Sequence, residues 1–142
     1  MMLFPGPWGL RSWQVDNSPA RKVRRYTEAI IGPYTIKHLQ EIPEARGNCG
    51  FRRPLLEAEE FDAATFTWLR VDNAREHYHQ RITEFYYVLE GEGALKIDGQ
   101  EVAVAPGTLV RIEPGTRHQA LGSFRALLVA TPAFTKDDMY FD

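Results

Sequence analysis

Hydrophobic and polar residues alternate in short runs along most of the chain, and turn residues separate the runs. Thr65–Val71 is the clearest run, with Leu69 and Val71 on one face and Trp68 on the other. Such alternation is typical of β-strands, whose successive side chains point to opposite faces of a sheet. The pattern predicts further strands at Tyr34–Leu39, His77–Gln80, Glu84–Leu89, Ala94–Ile97, Glu101–Val104, Thr108–Ile112, Arg117–Leu121 and Phe124–Thr131.

The turn residues support an all-β fold. Asp98-Gly99 predicts a hairpin, because two-residue type I′ turns need positive φ angles. Residues 90–93 predict another turn, Ile42–Arg53 a loop, and Leu55–Phe61 a short helical turn or an irregular segment. Many short strands without a long helical pattern predict a β-barrel or a double-sheet sandwich.

Residues 1–33 differ from the rest of the chain. Several prolines and glycines interrupt them, so we interpret them as a partly irregular N-terminal extension in which residues 20–31 could form one short helix. Residues 34–142 are predicted to form a single domain, which suits a chain of 142 residues. The extension carries five basic and two acidic side chains, whereas residues 34–142 carry twelve basic and seventeen acidic ones.

Composition constrains the cellular setting. The net charge of −2 gives no overall attraction to nucleic acid. Cys49 is the only cysteine, so no intrachain disulfide can form and a reducing compartment is expected. The chain shows no signal-peptide pattern at its start and no apolar run of the roughly 18–20 residues needed to cross a bilayer. We therefore expect a cytoplasmic protein without a nucleic-acid or membrane partner.

Three of the four histidines and a glutamate lie within residues 77–118. His77 and His79 are two residues apart, Glu84 follows, and His118 comes later. Histidines at i and i+2 share one face of a strand. Three imidazoles and a carboxylate suit one divalent transition metal, namely Fe, Mn, Ni, Cu, Co or Zn. The alternative is that His77 and His79 end a strand at the surface and His118 is a hydrogen-bonded turn residue.

These residues, with three glycines, resemble the two motifs of the cupin superfamily. His77, His79, Glu84 and Gly91 match the first motif in type and spacing, and Gly107, Gly115 and His118 match the second. The resemblance implies an all-β double-stranded β-helix (jelly-roll) cupin barrel at residues 34–142. It also implies that His77, His79, Glu84 and His118 are metal ligands. The first motif usually opens with a glycine, and Val71 stands at that position in this chain. The position is not one of the ligand positions.

Other residues of the same face are candidates for the pocket. Tyr86 and Val88 share the face of Glu84 in a regular strand. Val88 could contact substrate; Tyr86 could donate a proton, or could be a core tyrosine. Arg75 has the parity of His77 and could bind a substrate carboxylate, or could be a solvated charge.

The opposite face of the strand at residues 84–89 is also apolar and therefore needs cover. Phe85, Tyr87 and Leu89 lie on this face, and a strand that is apolar on both faces is buried on both. Trp68, the N-terminal extension or a second subunit could cover it. A homodimer is the simplest of these, and small cupins that resemble this chain commonly pair.

Two functions fit these features. The first is a metal-dependent enzyme acting on a small polar, oxygen-rich substrate, with dioxygenase-, isomerase- or decarboxylase-like chemistry. The second is a non-enzymatic module that binds a metal or a small ligand. The fold alone does not choose between them. A buried pocket with polar groups beside the metal would favour the enzyme, and a sealed barrel would favour the module.

Overall fold

The computed structural model describes residues 33–142, and the predicted short helix at residues 20–31 lies outside them. Two 3-10 helices, Leu39–Glu41 and Lys136–Asp138, flank the strands. The strands are β1 (Ala45–Gly47), β2 (Gly50–Leu56), β3 (Thr65–Val71), β4 (Thr83–Ile97), β5 (Gln100–Val104), β6 (Leu109–Ile112) and β7 (His118–Thr131). No helix in this part of the chain is long and apolar enough to cross a membrane.

All strand pairs are antiparallel, and the two longest strands hold the sheet together. The strand order is β1-β2-β3-β7-β4-β5, and β6 pairs with β4 beside this path. β4 and β7 pair along nearly their whole length, from Thr83 opposite Thr131 to Ile97 opposite His118. One end of β4 pairs with β6 and its other end pairs with β5. The two long strands therefore pass through both halves of the sheet.

A β-bulge at Leu89 separates the two halves. Val88 pairs with Ala126, but the next paired residue of β4 is Glu90, opposite Arg125. One extra residue in a strand reverses the alternation of side chains beyond it. The even-numbered Tyr86 and Val88 are fully buried before the bulge, whereas the odd-numbered Leu95 is fully buried after it.

The strand predictions are confirmed at several places and wrong at others. β3 has the predicted bounds, and the turn at Asp98-Gly99 joins β4 to β5 with positive φ angles of 45° and 84°. The predicted turn at residues 90–93 is wrong, because β4 continues through it. β7 is likewise one strand where two were predicted. In both places glycines allow the strand to bend without ending.

The N-terminal part of the described region differs most from the prediction. Tyr34–Leu39 was predicted as a strand, but it is irregular up to the 3-10 helix that begins at Leu39. Ile42–Arg53, predicted as a loop, contains the β1–β2 hairpin. The arginines of β2 obscured its alternation, because Arg53 lies over the Trp68 ring on the outer face of the sheet and is not a loop residue.

Gly93 gives a test of how closely β4 and β7 approach each other at their bend. A Cβ atom at Gly93 would lie 2.3 Å from the carbonyl oxygen of Leu121 and 2.8 Å from the Phe124 ring. Gly93→Ala should therefore lower the free energy of unfolding by about 1–3 kcal/mol, the usual cost of overpacking. Chemical denaturation measures this change.

Gly99→Asn is the matched control in the β4–β5 turn. A Cβ atom at Gly99 meets nothing within 4 Å, and asparagine tolerates its positive φ angle of 84°. This variant should be much closer to wild type than Gly93→Ala. Equal stabilities of the two variants would show that the close contact at Gly93 does not constrain the sheet.

Candidate metal centre

Four side chains converge in the interior of the fold. One ligand atom from each of His77, His79, Glu84 and His118 lies within 4.8 Å of the others. All four residues are buried, with exposed fractions between 1% and 3%. The cluster predicted from the sequence is thus present, and its size fits a single metal ion.

The backbone brings two of these residues together directly. His77 and His118 form an isolated antiparallel bridge, in which each amide donates to the other's carbonyl at 3.1 and 2.9 Å. Residues that face each other in such a bridge have their side chains on the same face. Glu84 reaches the cluster from the opposite end of β4, which pairs with the same β7 strand that begins at His118.

Backbone carbonyls orient all three imidazoles. In each ring Nδ1 lies within hydrogen-bonding distance of a carbonyl oxygen: His77 with Arg75 at 3.0 Å, His79 with Asp138 at 2.7 Å, and His118 with Thr116 at 2.9 Å. Because a carbonyl only accepts, Nδ1 carries the proton in the neutral rings of His79 and His118. Nε2 is then left as a lone pair for the cluster, which is the usual arrangement of metal-binding histidines. Nδ1 of His77 also lies 3.1 Å from Asn48 Nδ2, a donor, so its contacts match either tautomer.

In this arrangement imidazole Nε2 lone pairs face the carboxylate oxygens of Glu84. Both kinds of atom are hydrogen-bond acceptors, so they repel each other unless a cation lies between them. His118 Nε2 is 2.8 Å from Glu84 Oε2, and His79 Nε2 is 3.4 Å from Glu84 Oε1. His79 Nε2 is buried and makes no hydrogen bond of good geometry with any described residue. In the metal-free protein a proton can lie between His118 and Glu84. A divalent cation would replace that proton and satisfy all four ligand atoms.

The protonation states of Glu84 and His77 favour cation binding. Burial opposes ionisation of Glu84, but the adjacent His118 imidazole, at hydrogen-bonding distance, and the neighbouring His79 hold the pKa of its carboxyl well below the usual range. Burial, helped by repulsion from His118, lowers the pKa of His77 to about 4. At neutral pH the cluster therefore offers a carboxylate and a neutral His77 imidazole, and metal ions bind these forms.

Asp138 is a buried residue that sequence reasoning missed. The polar residues Thr135, Lys136, Asp137 and Asp138 predict a solvated tail, but Asp138 is only 1% exposed. Its carboxylate accepts hydrogen bonds from the backbone amides of Gln80, Arg81 and Ile82, each at 3.1 Å, while its own carbonyl accepts from His79. Asp138 thus fixes the loop between two of the ligands, and no local sequence signal distinguishes it from the exposed Asp137.

A cavity of about 700 Å³ opens over the cluster. Glu84 and His77 line it, and its walls include Leu69 of β3 and Leu128 of β7. Ala130, next to Glu84 in the register, is a small residue that leaves space above the carboxylate. Sites for small molecules have volumes of roughly 300–1,000 Å³, so this cavity can admit a substrate to the cluster.

The remaining candidate residues take different positions. Tyr86 and Val88 are fully buried behind Glu84 and are not among the residues that line the cavity. Arg75 is exposed, with its guanidinium 4.2 Å from the centre of the Phe141 ring. The assignments of Tyr86 as proton donor and of Arg75 and Val88 as substrate contacts stay predictions.

Cys49 and Tyr86 form a buried pair next to the cavity. Their Sγ and Oη atoms are 4.0 Å apart. Burial raises the pKa of the Cys49 thiol to about 12 and raises that of the Tyr86 phenol well above its usual value. Both groups are neutral at pH 7, so Cys49 lacks the thiolate that a nucleophilic cysteine needs.

Comparison with known proteins identifies the family. Residues 71–127, which include all four clustered residues, match the family described as Cupin domain. The chain therefore contains a cupin domain at residues 71–127. A segment of 47 residues is 38% identical to quercetin 2,3-dioxygenase of Bacillus subtilis (strain 168), and it covers 33% of this chain but only 14% of the dioxygenase.

Several solved structures share the fold. A protein from Planctomyces limnophilus has a TM-score of 0.70 at 23% identity, over 78% of this chain and 98% of that one. Pac13, a nucleoside dehydratase, has a TM-score of 0.68 at 21% identity, over 75% and 89%. Ectoine synthase from P. lautus has a TM-score of 0.64 at 20% identity, over 75% and 88%. The predicted all-β cupin barrel is confirmed.

Asp138→Asn tests whether the buried carboxylate positions the metal ligands. An amide cannot accept all three backbone hydrogen bonds, so we expect the free energy of unfolding to fall by about 1–3 kcal/mol. Zn²⁺ affinity, measured by competition with a chromophoric chelator, should fall roughly 10–100-fold, as is usual when a group that orients a ligand is lost.

Asp137→Asn is the matched control for Asp138→Asn, because the Asp137 side chain is 72% exposed and pairs with the exposed Arg81. It should keep wild-type stability and affinity. Wild-type Zn²⁺ affinity in Asp138→Asn would show that the loop is held without its carboxylate.

Proposed function

We propose that this protein is a metal-dependent cupin enzyme acting on a small polar, oxygen-rich substrate. His77, His79, Glu84 and His118 would hold one divalent transition metal of the series Fe, Mn, Ni, Cu, Co and Zn. The observation that carries the proposal is the open cavity directly above a buried ligand set. A sealed barrel would leave no space for a substrate beside the cluster, and the cavity therefore favours an enzyme over a non-enzymatic binding module.

The ligand set and the walls of the cavity would have separate roles in this function. The three carbonyl-bound imidazoles and Glu84 present a fixed ligand set that needs little rearrangement on binding. A bound divalent metal supplies Lewis acidity, or oxygen activation if it is redox-active. The apolar walls exclude water from the substrate and so strengthen its polar contacts at the cluster. His77 and Glu84 are the two members of the ligand set that line the cavity.

The identity of the bound metal would determine which of the proposed reaction classes is possible. Dioxygenase-like chemistry requires a redox-active metal such as iron or copper, whereas isomerase- and decarboxylase-like chemistry suits manganese or zinc. The names of related proteins span this range, since they include a quercetin dioxygenase and a nucleoside dehydratase. Similar cupin barrels also bind small molecules, as in a Streptomyces structure of a Pac13 variant with uridine. These relatives support a small-molecule substrate without selecting one.

We also propose that the protein forms a homodimer through an outer apolar face. Register places the side chains of this face in two adjacent rows, Phe66–Val129–Phe85 and Trp68–Leu127–Tyr87–Leu109. Leu109 is 62% exposed and Tyr87 is 45% exposed. Contiguous apolar surface across four strands is unusual on a monomer. A second copy presents the same surface and would cover it by two-fold symmetry.

Metal content tests the four-ligand assignment. Inductively coupled plasma mass spectrometry of protein purified without added metal should give close to one metal per chain. His77→Ala and His118→Ala should each lower this value roughly tenfold or more, since each loses a ligand that a four-ligand site requires. His38→Ala removes the fourth histidine, which is exposed and lies outside the cluster, and should retain the metal.

The metal found directs the search for activity. Iron or copper would lead to assays of dioxygen consumption, and manganese or zinc to isomerase and lyase substrates. Wild-type protein that contains no metal and takes up none on titration would overturn the proposal.

Leu109→Lys tests the homodimer. Light scattering coupled to gel filtration should give twice the mass of one chain for wild type and the mass of one chain for this variant, because a buried lysine charge disfavours the interface. Val102→Lys, on β5 and 45% exposed but outside the two rows, should stay dimeric. A monomeric wild-type protein at micromolar concentration would contradict the dimer.

A further inference from the structure

We propose that Arg52 anchors a carboxylate group of the substrate inside the cavity. The inference rests on the proposed function for the role of the metal, but the position of Arg52 does not depend on it. Arg52 is a half-buried residue of β2 that lines the same cavity as Glu84 and His77. A substrate held at one end by the metal would meet this guanidinium elsewhere in the cavity.

The strand register explains why Arg52 faces inward. It is opposite Leu69 of β3, whose side chain is 3% exposed and lines the cavity. Pro54 has the same parity as Arg52 and also lines the cavity, whereas Arg53 lies over Trp68 on the outer face. Gly47 leaves room for the arginine stem, since a Cβ atom there would lie 3.2 Å from Arg52 Cδ.

Arg52 lacks the partner that neighbouring arginines have. Arg46 pairs with Asp72 at 2.6 Å, and Arg70 pairs with Glu44 at 2.6 Å. Within residues 33–142, the side chain of Arg52 makes no hydrogen bond, ion pair or ring contact. A half-buried guanidinium gains most from a charged acceptor, because low local polarity strengthens the interaction and its planar fork matches a carboxylate.

The surroundings of Arg52 favour a carboxylic acid with an apolar body. Leu56, Leu69, Leu128, Phe134 and Phe141 are among the residues that line the cavity. A phosphate monoester carries a second negative charge, which the exposed Glu57 and Glu59 on the same lining would repel. Of the other cations that line the cavity, Arg46 is paired with Asp72, and Lys136 lies in the C-terminal 3-10 helix. The substrate class is therefore a monocarboxylate that also carries an oxygen donor for the metal.

Isothermal titration calorimetry with defined probes tests the inference. The probes are phenylacetate, phenylacetamide and phenyl phosphate, each added to metal-free and to zinc-loaded full-length protein. In metal-free wild type, phenylacetate should bind at least tenfold more tightly than the amide and the phosphate ester. Arg52→Gln should remove this preference, with a loss of affinity of roughly tenfold for phenylacetate, because a charge-assisted bidentate contact is lost.

Arg46→Gln is the matched control, because Arg46 also lines the cavity but is paired with Asp72. It should bind phenylacetate as wild type does. Equal binding of phenylacetate and its amide by wild type, or unchanged binding by Arg52→Gln, would overturn the role of Arg52. Tighter binding of phenyl phosphate would overturn the carboxylate assignment.

Metal content of Arg52→Gln separates this inference from the proposed function. Arg52 is outside the ligand set, so the variant should contain as much metal as wild type. Loss of the carboxylate preference with full metal content supports the anchor. A wild-type protein that binds no metal yet shows the Arg52-dependent preference would refute the metal enzyme and retain the anchor.

Discussion

The buried carboxylate of Glu84 is the constraint on which the rest of the site depends. A charged group in the interior is costly unless cationic or hydrogen-bonding partners surround it. Two imidazole nitrogens, of His79 and His118, face its two oxygens. Because His79 and His118 donate Nδ1 protons to backbone carbonyls, neither can satisfy Glu84 as a neutral donor. Only a proton or a metal cation resolves this conflict. The surrounding fold holds the four side chains in this arrangement.

The fold maintains this cluster through two long strands and one fixed loop. β7 begins at His118 and pairs with β4 up to Thr83, beside Glu84, so the same strand pair joins two ligands from its opposite ends. The bulge at Leu89 makes this possible, because it lets the inward face change parity halfway along β4. Asp138 then holds the backbone that connects His79 to Ile82. The ligand geometry therefore depends on residues distant from the cluster in sequence.

Sequence patterns predict this site better than they predict the path of the chain around it. His77 and His79 have the i, i+2 spacing of one strand face and Glu84 follows closely, and Asp98-Gly99 specifies its hairpin by local chemistry alone. The bulge at Leu89 has no such signal, since an inserted residue is visible only when both strands are paired. Asp137 and Asp138 are adjacent aspartates in the same polar segment. Tertiary contacts alone bury Asp138 and leave Asp137 exposed. Arg52 was likewise predicted to lie in a loop, because only the pairing of β2 with β3 places it beside the cavity.

The cavity links the cluster to a choice of chemistry. A small residue on β7 contributes to it: Ala130 stands opposite Glu84 and lines the cavity, where a larger side chain would fill space. Open apolar volume next to a buried charged cluster reduces packing, and a purely structural metal site gains nothing from it. Within residues 33–142 the Arg52 guanidinium on the same wall has no partner, which adds a further desolvation cost. In the proposed function, a substrate that carries an anionic group and a metal-binding oxygen would offset both costs at once, with the cluster and Arg52 at two ends of one binding site.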